Sequence, residues 1–218
     1  MRKITYHALA LACALAAGTQ AQAETVVFTG FAHGSQTVNY SLSGPNVVKT
    51  GSTSAGGINT TLNGSPSFVT YCIDLYQTIA FNTAYPEYLP PADDFVFVNA
   101  DAYDDLSRLY AGAGTVDTSV EEAAFQIAAW EIAYETGAYD LAAGTATFTG
   151  GTAATSGALL LAQNWLNGLG AAGPNVFVLQ SSLHQDVITT IPEPETYALM
   201  LAGLGAVGFM ARRRKKAD

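Results

Sequence analysis

The segment EEAAFQIAAWEIAYETG, residues 121–137, limits most strongly what this chain can fold into. Ala123, Ile127, Trp130 and Ala133 recur at helical spacing and define one apolar face. Ser119 stands three residues before Glu122, the spacing of a capping box, and Gly137 is placed to end the helix. A helix with such a face needs a core to cover it. The pattern therefore predicts Trp130 buried, with Glu131 and Glu135 turned to solvent. One residue breaks the pattern. Gln126 lies on the apolar face, one turn before Trp130, so a primary amide is aimed at the core beside an indole.

The rest of the chain supplies what such a helix packs on. In TVNYSLSG, Val38, Tyr40 and Leu42 alternate with Thr37, Asn39 and Ser41, the period of a half-buried strand. Gly44, Pro45 and Asn46 signal a turn, and VVKTGSTSAGG runs into a flexible glycine pair. SFVTYCIDLY is a second strand, with Phe68, Thr70, Cys72 and Asp74 on one face and Val69, Tyr71, Ile73 and Leu75 on the other. DAYDDLSRLYAGAG is helical, with Asp101 as N-cap and Gly112 as stop. SGALLLAQNWLNGLG forms a third helix, and NVFVLQS and HQDVITTI return to strand. The expectation is an α+β chain, mainly β with helices inserted in its second half, and no internal repeat.

The two ends carry address signals. Arg2 and Lys3, an alanine-rich apolar stretch and Ala21-Gln22-Ala23 have the order of a secretory signal peptide over residues 1–23. Ala10-Leu11-Ala12 before Cys13 makes a poor lipobox, so cleavage after Ala23 is expected instead. At the other end, Pro192-Glu193-Pro194 precedes an uncharged, largely apolar run at 197–211 and the cluster Arg212 to Lys216. The run has 15 residues, short of the ~20 of a full span, and the basic cluster belongs on the cytoplasmic side. It reads as a short transmembrane helix that holds the chain transiently in the inner membrane.

The order of these three parts resembles the PEP-CTERM sorting signal of Gram-negative bacteria. That resemblance implies an exosortase-type processing enzyme as partner, cleavage near Pro192 to Pro194, and delivery to the cell surface or extracellular matrix. Residues 192–218 form the sorting signal, and 24–191 the exported domain.

Within 24–191 only Lys49 and Arg108 are basic, against 15 acidic residues, a net charge near −13. A chain without a basic patch has no means of neutralising phosphates, which excludes nucleic acid as partner. Asp93, Asp94, Asp101, Asp104 and Asp105 are clustered but lack the glycine turn of a calcium loop, so a solvated acidic face is expected and no metal or other cofactor.

Cysteine arithmetic is sharper. Cys13 lies in the signal peptide, so Cys72 is the one thiol of the exported part and forms no internal disulfide. Three roles stand open. Cys72 with His184 and Asp186 would be a nucleophile, base and orienter, although no protease signature surrounds it. Cys72 as a small core hydrophobe, with Gln126 bonded to a backbone group, would be structural. Cys72 and Gln126 together could form a thioester by loss of ammonia. That chemistry needs an apolar wall against water, which Trp130 would supply from one turn along the helix, with Tyr71 packed beneath.

YCID at 71–74 and FQIAAWEI at 125–132 resemble the two halves of the bacterial thioester domain of surface adhesins. Gln126, Ala128 and Trp130 match the Q-x-A-x-W spacing of that family, whereas Phe125 replaces a threonine and Ala129 an isoleucine. The resemblance covers roughly residues 68–136. It implies a β-barrel or sandwich joined to a small helical subdomain, with Cys72 as acyl acceptor and Gln126 as donor. It also implies covalent attachment to an amine or hydroxyl on a partner surface, without enzymatic turnover. The alternative is a non-covalent structural component of a biofilm or polysaccharide matrix.

Overall fold

The structure, a computed structural model, describes residues 23–44 and 48–190. The signal peptide, the centre of the Pro45 turn and the sorting tail with Pro192, Glu193 and Pro194 lie outside the described residues. Six strands form one antiparallel sheet: β1 (Glu24–Phe31), β4 (Ile58–Leu62), β5 (Phe68–Cys72), β6 (Ala84–Tyr88), β8 (Phe177–Leu179) and β9 (Val187–Thr189). Their order is β6-β1-β4-β5-β9-β8, and the sheet curls into an open half-barrel. A second sheet has β2 (Gln36–Leu42) between β3 (Lys49–Ala55) and β7 (Ala146–Thr149). Among the described residues four helices complete the α+β fold: α1 (Ala102–Ala113), α2 (Ser119–Tyr134), α3 (Gly151–Ser156) and α4 (Ala158–Asn167). An open half-barrel with a separate small sheet thus stands where a β-barrel or sandwich was expected.

Local chemistry explains the sheet joints. Asn63 and Gly64, between β4 and β5, both take positive φ, and Ser65 N–H donates to Leu62 O at 2.9 Å. This is the Asn-Gly hairpin turn whose twist suits antiparallel strands. The chain passes from the large sheet to the small one between β1 and β2, and back between β3 and β4. Both crossings converge on one carboxylate. Glu122 is 1% exposed; it meets His33 Nδ1 at 2.7 Å on the first crossing and accepts the Gly57 N–H at 3.0 Å on the second. Tyr71 OH on β5 donates to the same Glu122 at 2.8 Å.

Helix α2 is the axis of the molecule. Every residue from Glu122 to Tyr134 is buried, because α1, α4, both sheets and the chain after α2 surround it. Alanines at 123, 124, 128, 129 and 133 leave room for that close approach. Three expectations are corrected here. The capping box is formed by Thr118 and Glu121, one residue earlier than expected. Glu122 is thereby free to point inward. Glu131 and Glu135 are buried instead of solvated, at 0% and 4% exposure. The loop after α2 folds back over them: Glu131 accepts Asp140 N–H at 2.9 Å, and Glu135 accepts those of Thr136, Gly137 and Thr145.

Other boundaries also differ. α1 continues through Gly112 to Ala113, and Asp101 at its N-cap makes no side-chain capping bond. The third predicted helix is α4, which starts after Gly157 with its φ of +91°, and the short α3 occupies the loop expected before it. The expected transmembrane helix is also corrected: no helix among the described residues is long and apolar enough to cross a membrane. The run at 197–211, on which that expectation rested, lies outside them.

Candidate functional site

Cys72 closes β5, where it pairs with Val187 of β9, and Gln126 sits in the second turn of α2. Helix α2 packs against β5, and there the two residues meet although 54 positions apart. Cys72 N–H donates to Gln126 Oε1 at 2.9 Å, and Gln126 Nε2 donates to Cys72 O at 2.7 Å. The side-chain amide thus pairs with the backbone of the thiol-bearing residue as a neighbouring strand would. Both residues are buried, at 4% and 1% exposure. Burial, and then the nearby charge of Asp74, holds the Cys72 thiol well above its ordinary range, so it is protonated at neutral pH.

The pair forms one wall of a cleft of about 380 Å³. Trp130 lines the same cleft and is 1% exposed, with its ring stacked on Phe148 of β7. Its indole Nε1 has no hydrogen-bond partner among the described residues, an unusual state for a buried donor. β3 supplies Ser52, Thr53 and Ser54 to the lining, and Phe31 and Phe81 add aromatic rings. Lys49 also lines the cleft, its ammonium donating to the carbonyls of Leu75 and Tyr76 at 2.7 and 3.3 Å.

Tyr71 points to the other side of β5, as strand alternation requires. Its ring lies 4.2 Å from that of Phe125, centroid to centroid, and its hydroxyl serves Glu122. It lines a different cavity from the pair. The arrangement of Cys72 with His184 and Asp186 is not present. His184 Nδ1 contacts Glu87 at 2.6 Å, and Asp186 accepts the Ser181 N–H at 2.8 Å. Residues 95–98 of the acidic segment are irregular. Asp93, Asp94, Asp101 and Asp104 are exposed, and no group of acidic, His or Cys side chains among the described residues is arranged to hold a metal.

Sequence reasoning missed the Glu122 junction and the part of the cleft lining that β3 supplies. His33 and Gly57 stand 89 and 65 positions from Glu122, with no motif joining them. The glycine pair at 56–57 was the one signal available, and it marks close approach instead of flexibility. A Cβ on Gly57 would overlap the Glu122 carboxylate.

Residues 190–215 match the family model of the PEP-CTERM protein-sorting motif. No curated protein and no solved structure matches the chain. The match marks the chain for export to the cell surface or extracellular matrix and for processing by an exosortase-type enzyme.

Proposed function

We propose that this exported protein stores an internal thioester between Cys72 and Gln126 and spends it once, on an amine of a partner surface. The observation that carries this is the paired hydrogen bonding of the Gln126 amide with the Cys72 backbone inside a cleft walled by Trp130. As Sγ attacks the side-chain carbonyl carbon of Gln126, negative charge grows on Oε1. The Cys72 N–H is already directed at that oxygen and would stabilise it as an oxyanion donor does. The C–S bond forms, the C–N bond breaks, and the thiol proton leaves with the amide nitrogen as ammonia.

A partner amine then attacks the same carbon. The new C–N bond forms, the C–S bond breaks, and a proton of the amine returns to sulfur. The partner is left joined through residue 126. The buried, protonated thiol fits a slow single event better than turnover. Trp130 and the packed helix keep water from hydrolysing the bond.

The intact mass of the exported protein tests this. A deficit of one ammonia that methylamine converts to a methylamide adduct at Gln126 supports it. Full mass together with a titratable Cys72 thiol favours the matrix-component function, in which the two hydrogen bonds serve only to satisfy a buried amide.

A further inference from the structure

A second cavity, of about 310 Å³, lies between the 73–77 segment, which follows β5, and the irregular residues 95–98. Four aromatic side chains line it: Tyr76, Phe95, Phe97 and Tyr134. Two carboxylates, Asp74 and Asp186, line it as well. Asp186 is 9% exposed; Oδ1 accepts the Ser181 N–H, and its other oxygen has no hydrogen bond among the described residues. Asp74 Oδ1 accepts the Tyr76 N–H at 2.7 Å. Neither carboxylate forms an ion pair among the described residues. Lys49 is bonded to two carbonyls and its ammonium lies 5.6 Å from the centroid of the Tyr76 ring, and Arg108 lies at Asp105 and Gly170. Burial, opposed by the Ser181 bond and aided by the charge of Asp74, pushes the Asp186 carboxyl up to about 6. No basic side chain lines the cavity, so its own charge is negative.

We propose that this cavity binds an organic ammonium group, held by Asp74 and Asp186 and enclosed by the rings of Tyr76, Phe95, Phe97 and Tyr134. A cation over aromatic faces is attracted by their quadrupoles, and the attraction grows as water is excluded. A hard metal ion would need six or more oxygen ligands, which these apolar walls do not offer. A neutral apolar ligand would cover two carboxylates without supplying a counter-charge. Val96, 88% exposed at the rim, gives the hydrocarbon stem of an alkylammonium a surface to lie on. The cavity shares Gln77 with the Cys72–Gln126 cleft but uses neither of those residues, so it stands or falls independently of the thioester.

The test is calorimetric titration of the purified full chain carrying Cys72→Ser, which removes covalent capture. The probes are cadaverine, its neutral counterpart 1-pentanol, and calcium chloride. Cadaverine should bind saturably and pentanol should not. Asp186→Asn keeps an acceptor for Ser181 N–H but loses the charge, and should weaken cadaverine at least roughly tenfold, as expected for a hydrogen bond to a charged group. Asp74→Asn gives a second, independent measure should Asp186→Asn not fold. Pentanol binding as well as cadaverine, both folded variants binding unchanged, or calcium displacing cadaverine would each overturn the proposal.

Discussion

The indole of Trp130 and the ring of Phe148 stack with centroids 5.9 Å apart and planes 11° from parallel. The contact ties α2 to β7 of the small sheet and holds the indole across the cleft that contains Cys72 and Gln126. Truncation to Ala empties a fully buried aromatic site, which costs about 3–5 kcal/mol. Trp130→Ala should lower the urea midpoint accordingly and open the cleft to water. Trp130→Phe should keep most of the stability, since Nε1 has no partner to lose. Equal midpoints for the wild type and Trp130→Ala would show that the wall is not part of the core.

How much of this was legible beforehand depended on where the deciding contacts lay. The strand over 36–42 and the helix over 119–134 were readable because their periodicity is local. The burial of Trp130 followed from the same pattern. The meeting of Cys72 with Gln126 was expected from paired motifs, since no local rule connects residues 54 positions apart. The exposure of Glu131 and Glu135 was misread for a physical reason. Carboxylates on one side of a helix normally mark its wet face, and here the following loop covers that side and bonds them through its own N–H groups. The register of the N-cap was misread by one residue because Thr118 and Ser119 are both competent caps. Only the backbone geometry chooses between them.

Gly57 makes the sharpest stability prediction. Its N–H reaches Glu122 at 3.0 Å only because no side chain intervenes, and an added Cβ would also crowd Val69 at 2.8 Å. Gly57→Ala should force the Glu122 carboxylate away and disturb its bonds to His33 and Tyr71 together. The expected loss is about 2–4 kcal/mol, from overpacking and a disrupted buried bond. Gly64→Ala is the control for a positive-φ glycine with open space around it, and should lose less. Comparable melting temperatures for wild type and Gly57→Ala would mean the junction adapts freely.

The sorting match begins at residue 190, directly after β9 ends at Thr189. Processing within the motif therefore removes no strand of the large sheet. A chain ending at residue 190 should melt within about 2 °C of the full chain, because it keeps every strand and helix among the described residues. Replacing Pro192, Glu193 and Pro194 by Ala should leave the exported protein at its unprocessed size on an immunoblot. A size shift identical to wild type would show that the motif does not direct processing.

The pH dependence of stability should be set by two buried carboxyls. Burial, aided by the charges of Glu135 and Asp140 and opposed by the Asp140 N–H bond, pushes Glu131 up to about 8. Its Oε2 meets no partner, the position expected for the retained proton. Asp186 is pushed up to about 6. In the unfolded chain both titrate near their reference values of about 4. Between those limits the folded state binds more protons than the unfolded one, so stability falls as pH rises. The stabilisation is complete below about pH 4 and lost progressively up to about pH 8. Glu121 and Glu135 are lowered and act oppositely: their contribution is lost as acid protonates them. The unfolding free energy, read from urea titrations, should therefore peak at mildly acidic pH and decline toward pH 8.5, by an amount on the order of a few kcal/mol. Glu131→Gln keeps an acceptor for the Asp140 N–H without a titrating group, and should flatten most of the decline. If the slope between pH 5 and 8.5 survives that substitution unchanged, Glu131 does not hold its proton in the folded state.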